Sequence, residues 1–165
     1  KTTLPFALGL HGPMAFNNAT WRVVPMELVL RGNDDVPDLG GRGSASLGRQ
    51  LKLHLDGGIA AWPPGWPALP PPLAQSKSPL PFALDYAGRI DLGDVATLAL
   101  QRDDTRFDGR FRVIDVTAWT NAKARGSLLP PLSGTLRTPR VEIAGATLEG
   151  VEVELDDPGL PPATR

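Results

Sequence analysis

The sequence predicts an all-β protein, an antiparallel sheet built from two similar β-units with at most one short helix. Three observations carry this. Apolar residues recur at every second position along most of the chain, the signature of half-buried strands. Gly and Pro number 18 each among 165 residues, which suits short strands and tight turns and is hostile to long helices. Apolar strand faces also far outnumber the helices available to cover them. Such a sheet has to close into a barrel, stack as a sandwich or curl around something apolar.

The strands follow in order. Leu4, Phe6, Leu8 and Leu10 alternate with Pro5, Ala7, Gly9 and His11. A strand from Trp21 to Leu30 is interrupted by Pro25, which belongs at a sheet edge or bulge. Leu51, Leu53 and Leu55 alternate with Lys52, His54 and Asp56, and Leu80, Phe82, Leu84 and Tyr86 with Pro81, Ala83, Asp85 and Ala87. Phe107, Phe111 and Val113 oppose Arg106, Asp108, Arg110 and Arg112. Val141 and Ile143 oppose Arg140 and Glu142, and Val151, Val153 and Leu155 oppose Glu152, Glu154 and Asp156. Breaks are expected at Gly32 to Asp35, Gly40-Gly41, Asp56-Gly57-Gly58 and Asp103-Asp104. Gly109, and the phase slip across Gly150 between Leu148 and Val151, suggest bulges. One helix is expected, capped by Asp115 and running to about Arg125, with Trp119 and Ala122 inward, Lys123 and Arg125 at its C-terminal dipole and Gly126 as its stop.

Leu4-Pro5-Phe6-Ala7-Leu8 recurs as Leu80-Pro81-Phe82-Ala83-Leu84. This divides the chain into a first β-unit (1–60), a Trp/Pro-rich crossover (61–79), a second β-unit (80–157) and a tail (158–165), with one sheet continuing through both units. The crossover core, Trp62 to Pro72, reads as extended and polyproline-like, neither helix nor central strand.

A net charge of −1 gives no bulk attraction for nucleic acid. Absence of cysteine excludes disulfides, thiolate chemistry and Cys-rich metal sites. There is no transmembrane run and no signal peptide. The chain opens at Lys1 without Met, and we expect a fragment or mature form whose anchor or export signal lies outside it.

Nothing points to catalysis, cofactor or metal. His11 and His54, the only histidines, fall on polar strand phases, and no Gly-x-Ser-x-Gly elbow surrounds a serine. Asp34, Asp35, Asp38, Asp103, Asp104, Asp156 and Asp157 mostly sit at turns, where Asp bonds its own backbone. Gly40-Gly41-Arg42-Gly43-Ser44 lacks the Lys and helix start of a phosphate loop, and reads as a flexible hairpin connection with Gly at positive φ. Arg106, Arg110 and Arg112 form a basic strip suited to anionic headgroups, but Asp103, Asp104 and Asp108 balance it as an ordinary solvent face. Trp62 and Trp66, clasped by Pro63, Pro64 and Pro67, form a rigid strip suited to covering an apolar groove, to a partner, or simply to sealing an open end of the sheet.

If the sheet curls into a trough, its lining comes from Leu8, Leu28, Leu53, Leu84, Leu98, Leu100, Phe111, Val141 and Val153.

The run Gly41-Arg42-Gly43, then Leu51-Lys52-Leu53-His54-Leu55-Asp56-Gly57-Gly58, then Trp62-Pro63-Pro64-Gly65-Trp66-Pro67 and Pro70-Pro71-Pro72-Leu73 resembles the later part of the AsmA family of Gram-negative envelope proteins. Leu132-Ser133-Gly134-Thr135-Leu136, Val141-Glu142-Ile143 and Val151 to Leu155 are similar to AsmA-like C-terminal repeats. The same pattern also looks like protein N of the type II secretion machinery. Both resemblances imply a curved, half-open, U-shaped or taco-like sheet in the periplasm, attached to the inner membrane by a helix absent here. The AsmA resemblance implies moving or shielding phospholipid and supporting outer-membrane assembly, with no catalytic residue to carry over. The expected partners are therefore phospholipid or another envelope protein. The rival reading is a secretion-assembly module acting through protein contacts, with strand edges that add strands from a partner or a neighbouring copy.

Overall fold

The structure, a computed structural model, describes residues 5–33, 35–74, 77–122, 129–143 and 146–162. Its strands are β1 (Ala7–His11), β2 (Met14–Asn17), β3 (Thr20–Arg31), β4 (Asp38–Leu47), β5 (Leu51–Ala61), β6 (Leu80–Gly88), β7 (Val95–Arg102), β8 (Thr105–Arg112), β9 (Leu132–Ile143) and β10 (Ala146–Leu155). Helix α1 (Pro71–Ala74) lies between β5 and β6, and α2 (Val113–Ala122) between β8 and β9. All ten strands form one antiparallel sheet in the order β1-β3-β4-β5-β6-β7-β8-β9-β10, with β2 also on β3. The sheet is open. Strands β1 and β2 line one edge and β10 the other.

Several local expectations are corrected. The Gly40 to Ser44 stretch is not a hairpin connection but part of β4, with Gly40 to Gly43 paired on both sides and Ser44 paired to β5. Asp56-Gly57-Gly58 likewise lies within β5. The reason is close approach rather than turning. A Cβ on Gly43 would sit 1.8 Å from the His54 carbonyl, and one on Gly57 2.1 Å from the Gly40 carbonyl. Among the described glycines only Gly12 and Gly150 have positive φ.

Neither Gly109 nor Gly150 is a bulge. Gly109 pairs with Leu98 and Gly134 in unbroken register, and the Phe107 ring fills the space its side chain would take. Arg140↔Glu149 and Thr138↔Val151 also keep register, so the phase slip resides in the left-handed backbone of Gly150, at φ 62°. The bulge expected at Pro25 is present, between Val23 and Met26, next to a cis Val24–Pro25 bond.

The crossover is not wholly extended. Pro71 and Pro72 open the one-turn helix α1, whose first-turn positions need no N–H donor. The Pro70 carbonyl instead accepts from the N–H groups of Leu73 and Ala74. Helix α2 starts at Val113, placing Asp115 within its first turn rather than at the cap. Trp119 is buried, while the expected stop around Lys123, Arg125 and Gly126 lies outside the described residues.

Strand pairing sets the two faces. Register brings Leu28, Gly41, Gly57, Phe82, Leu100, Phe107 and Leu136 into one row across seven strands, all on the same side. This apolar face holds the core, in which Met26, Leu55, Leu80, Phe82 and Leu100 are buried together with Leu73 of α1. The opposite face is charged. Arg42 pairs with Glu27 at 2.9 Å, Arg106 with Asp108 at 2.7 Å and Arg137 with Glu152 at 2.8 Å.

Two glycines separate the two steric causes. Gly57→Ala forces a methyl into the backbone of β4, and a loss of about 3 kcal/mol is expected. Gly150→Ala meets nothing within 4 Å, and costs only the left-handed backbone, about 1–2 kcal/mol. Urea unfolding midpoints at constant m-value should rank the two in that order.

Candidate apolar groove

After β5 the chain turns across the apolar face and is tied there. The Trp66 backbone N–H donates to the Pro63 carbonyl at 3.0 Å, closing a turn around the fully buried Pro63. The Trp62 indole N–H donates to the Pro67 carbonyl at 2.9 Å, and the Trp66 indole N–H to the Asp35 carbonyl at 3.0 Å. The rings meet edge to face, 5.2 Å apart for Trp62–Trp66 and 6.5 Å for Trp66–Trp119. At the far end Arg102 of β7 donates to the Leu73 carbonyl and, at 2.7 Å, to the Ser78 carbonyl. These bonds hold Leu73 down on the sheet, where it is 1% exposed.

Between this strap and the sheet lies a groove of about 250 Å³. Its roof is Trp62, Trp66, Leu69 and Leu73. Its floor is Leu98 and Leu100 of β7, Phe107 and Phe111 of β8, Leu132 and Leu136 of β9 and Val153 and Leu155 of β10. Val116 of α2 and Leu129 also line it. No lining residue is ionisable, and both lining indoles already donate to the protein's own carbonyls. The groove therefore offers a guest apolar area and no hydrogen bond. It is closed near Leu73 and Leu100, and open at Val153 and Leu129, which are 41% and 51% exposed.

The nine lining candidates do not converge on one site. Leu98, Leu100, Phe111 and Val153 line the groove. Leu28, Leu53 and Leu84 pack against the core instead. Leu8 lies on the same face at the β1 edge, 56% exposed. Val141 is buried opposite Leu148, beyond Gly150 where the alternation has changed phase. The candidates omitted Phe107, Leu132, Leu136 and Leu155, whose strand alternation was visible, and Leu69, Leu73 and Val116, which no strand period singles out. Trp62 and Trp66 roof the groove and seal the sheet at once.

On the opposite face two of the three arginines of the strip are ion-paired: Arg106 pairs with Asp108 and Arg112 with Asp115, while Arg110 donates to the Pro161 carbonyl. His54 bridges two carboxylates, Nδ1 to Asp85 at 2.6 Å and Nε2 to Asp56 at 2.9 Å. With both ring nitrogens occupied this is an ion-pair bridge. Among the described residues no group of three His, Cys, Asp or Glu side chains is arranged to hold a metal ion. His11 is exposed on β1.

No family profile, curated protein or solved structure significantly matches the chain. Among the described residues no helix is long and apolar enough to cross a membrane.

The bridge to Asp85, with Asp56 adding to it, raises the His54 pKa above 6.5. Because the folded value is the higher one, this bridge stabilises the fold fully below pH 6.5, and its contribution fades as pH rises through the folded value. Imidazole NMR titration should find His54 above 6.5, and Asp85→Asn should bring it down. A His54 that titrates unchanged in Asp85→Asn would refute the bridge.

Proposed function

We propose that this chain is an envelope β-module that shelters the acyl chains of a phospholipid in the groove beneath the Trp/Pro strap. One observation carries the reading. The groove is lined wholly by apolar side chains, its indole donors are internally satisfied, and it opens at one end. Acyl burial is nondirectional and contributes about 0.8 kcal/mol per methylene, so such a site needs no headgroup chemistry. The resemblance to AsmA-type proteins supports the same role. It suggests a periplasmic location, inner-membrane attachment in the full-length protein, and a part in lipid transport and outer-membrane assembly. The module acts by contact and not by catalysis.

The test uses tryptophan fluorescence in a Trp21→Phe background, which removes the exposed indole far from the groove. Phospholipid brominated on its acyl chains should quench the remaining tryptophans saturably, and the water-soluble headgroup alone should not. Val153→Asp puts a charge at the groove mouth and should raise the dissociation constant read from the quenching curve at least tenfold, about 1.4 kcal/mol. Absence of quenching in a folded protein would overturn the lipid reading. The type II secretion-assembly reading, which the exposed β1–β2 edge favours, would then take its place.

A further inference from the structure

We propose that the chain forms a two-fold dimer through its β1–β2 edge, joining two open sheets into one continuous sheet. The proposal is independent of the lipid reading, since it uses a surface distant in the strand order from the groove.

Strands β1 and β2 lie end to end along β3, both antiparallel to it, and together make one sheet edge broken at Gly12-Pro13. Residues 5–17 contain no Asp, Glu, Lys or Arg. Phe6, Leu8, Leu10, Met14 and Phe16 are each more than half exposed, and register sets the four within the strands on the apolar face. The edge is apolar and carries none of the charges that discourage strand addition; Pro5 and Pro13 remove N–H donors only ahead of β1 and at the break between the two strands.

The other edge differs. Exposed Glu149, Glu152 and Glu154 lie on β10, so pairing two copies of β10 sets like charges against each other. Strand direction then selects the partner. The sheet alternates direction from β1 through β10, so the two edge strands run the same way. Stacking β10 of one copy on β1 of the next, with apolar faces aligned, gives a parallel pair in an open-ended array. A two-fold axis normal to the sheet reverses strand direction while keeping the faces aligned. Two β1–β2 edges therefore meet antiparallel, with all apolar side chains on one side, and the assembly closes at two.

The register centred on Gly12 uses both strands of the edge. It sets Leu8 beside Phe16, and Leu10 beside Met14, of the second copy. A slip by one residue would set apolar side chains against the polar face.

Sedimentation equilibrium across the micromolar range should give twice the chain mass. Leu10→Lys should raise the dimer dissociation constant at least tenfold, and Leu148→Lys on the β10 edge should leave it unchanged, both variants keeping the β-sheet circular dichroism. A monomer throughout that range, assembly growing past two copies, or a dimer broken by Leu148→Lys and not by Leu10→Lys would overturn the proposal. Lipid quenching retained in Leu10→Lys would separate this surface from the groove.

Discussion

An open sheet with one apolar face has more surface to shield than two short helices and one crossover can cover. That imbalance organises the molecule. Across the central strands the cover is sufficient, and Leu55, Leu80, Phe82 and Leu100 are buried with Leu73. Toward β8, β9 and β10 the strap stands off, leaving a groove between Trp66 and the floor at Phe107 and Leu136. Toward β1 and β2 it is absent, and Leu8 and Phe16 face outward. One physical demand thus produces a core, a groove and a bare edge along the same face.

The strap's position depends on a few polar contacts in an otherwise apolar setting. Arg102 holds the crossover by donating to the carbonyls of Leu73 in α1 and of Ser78 beyond it. The two indole N–H groups bond the protein's own carbonyls, which satisfies donors that would be costly to bury alone. Among the described residues no buried side-chain nitrogen or oxygen lacks a partner. The same satisfaction leaves the groove chemically featureless, so it is suited to hydrocarbon rather than to a polar ligand. The charges are segregated on the far face, where exposed pairs such as Arg137–Glu152 are screened by water and chiefly keep that face wet.

Period two was legible wherever alternate residues differed in polarity, as along β5, β6 and β10. It failed at β4, where Gly40, Gly41 and Gly43 carry no side chain to report a face. There, composition imitated a turn while close backbone approach demanded a strand. Helix α1 was hidden because its prolines argue against a helix everywhere except its first turn, and β2 because four residues are too few to show a period. For the groove, alternation marked much of the floor, including Leu98, Phe111 and Val153. It did not mark the roof, since Leu69 and Leu73 reach the sheet through a long connection whose path is set by Arg102, far along the chain. Alternation equally marked Leu53 and Leu84, which differ from Leu98 only in what the strap happens to cover.

The central claim is that the apolar face beneath the strap is a lipid path. Photocrosslinking in native envelope membranes tests it most directly, with the photoreactive residue at Phe111 on the groove floor and, as control, at Arg110 on the opposite face. The account predicts phospholipid adducts at position 111 and none at position 110. Equal labelling at both positions, or protein adducts alone at position 111, would contradict it.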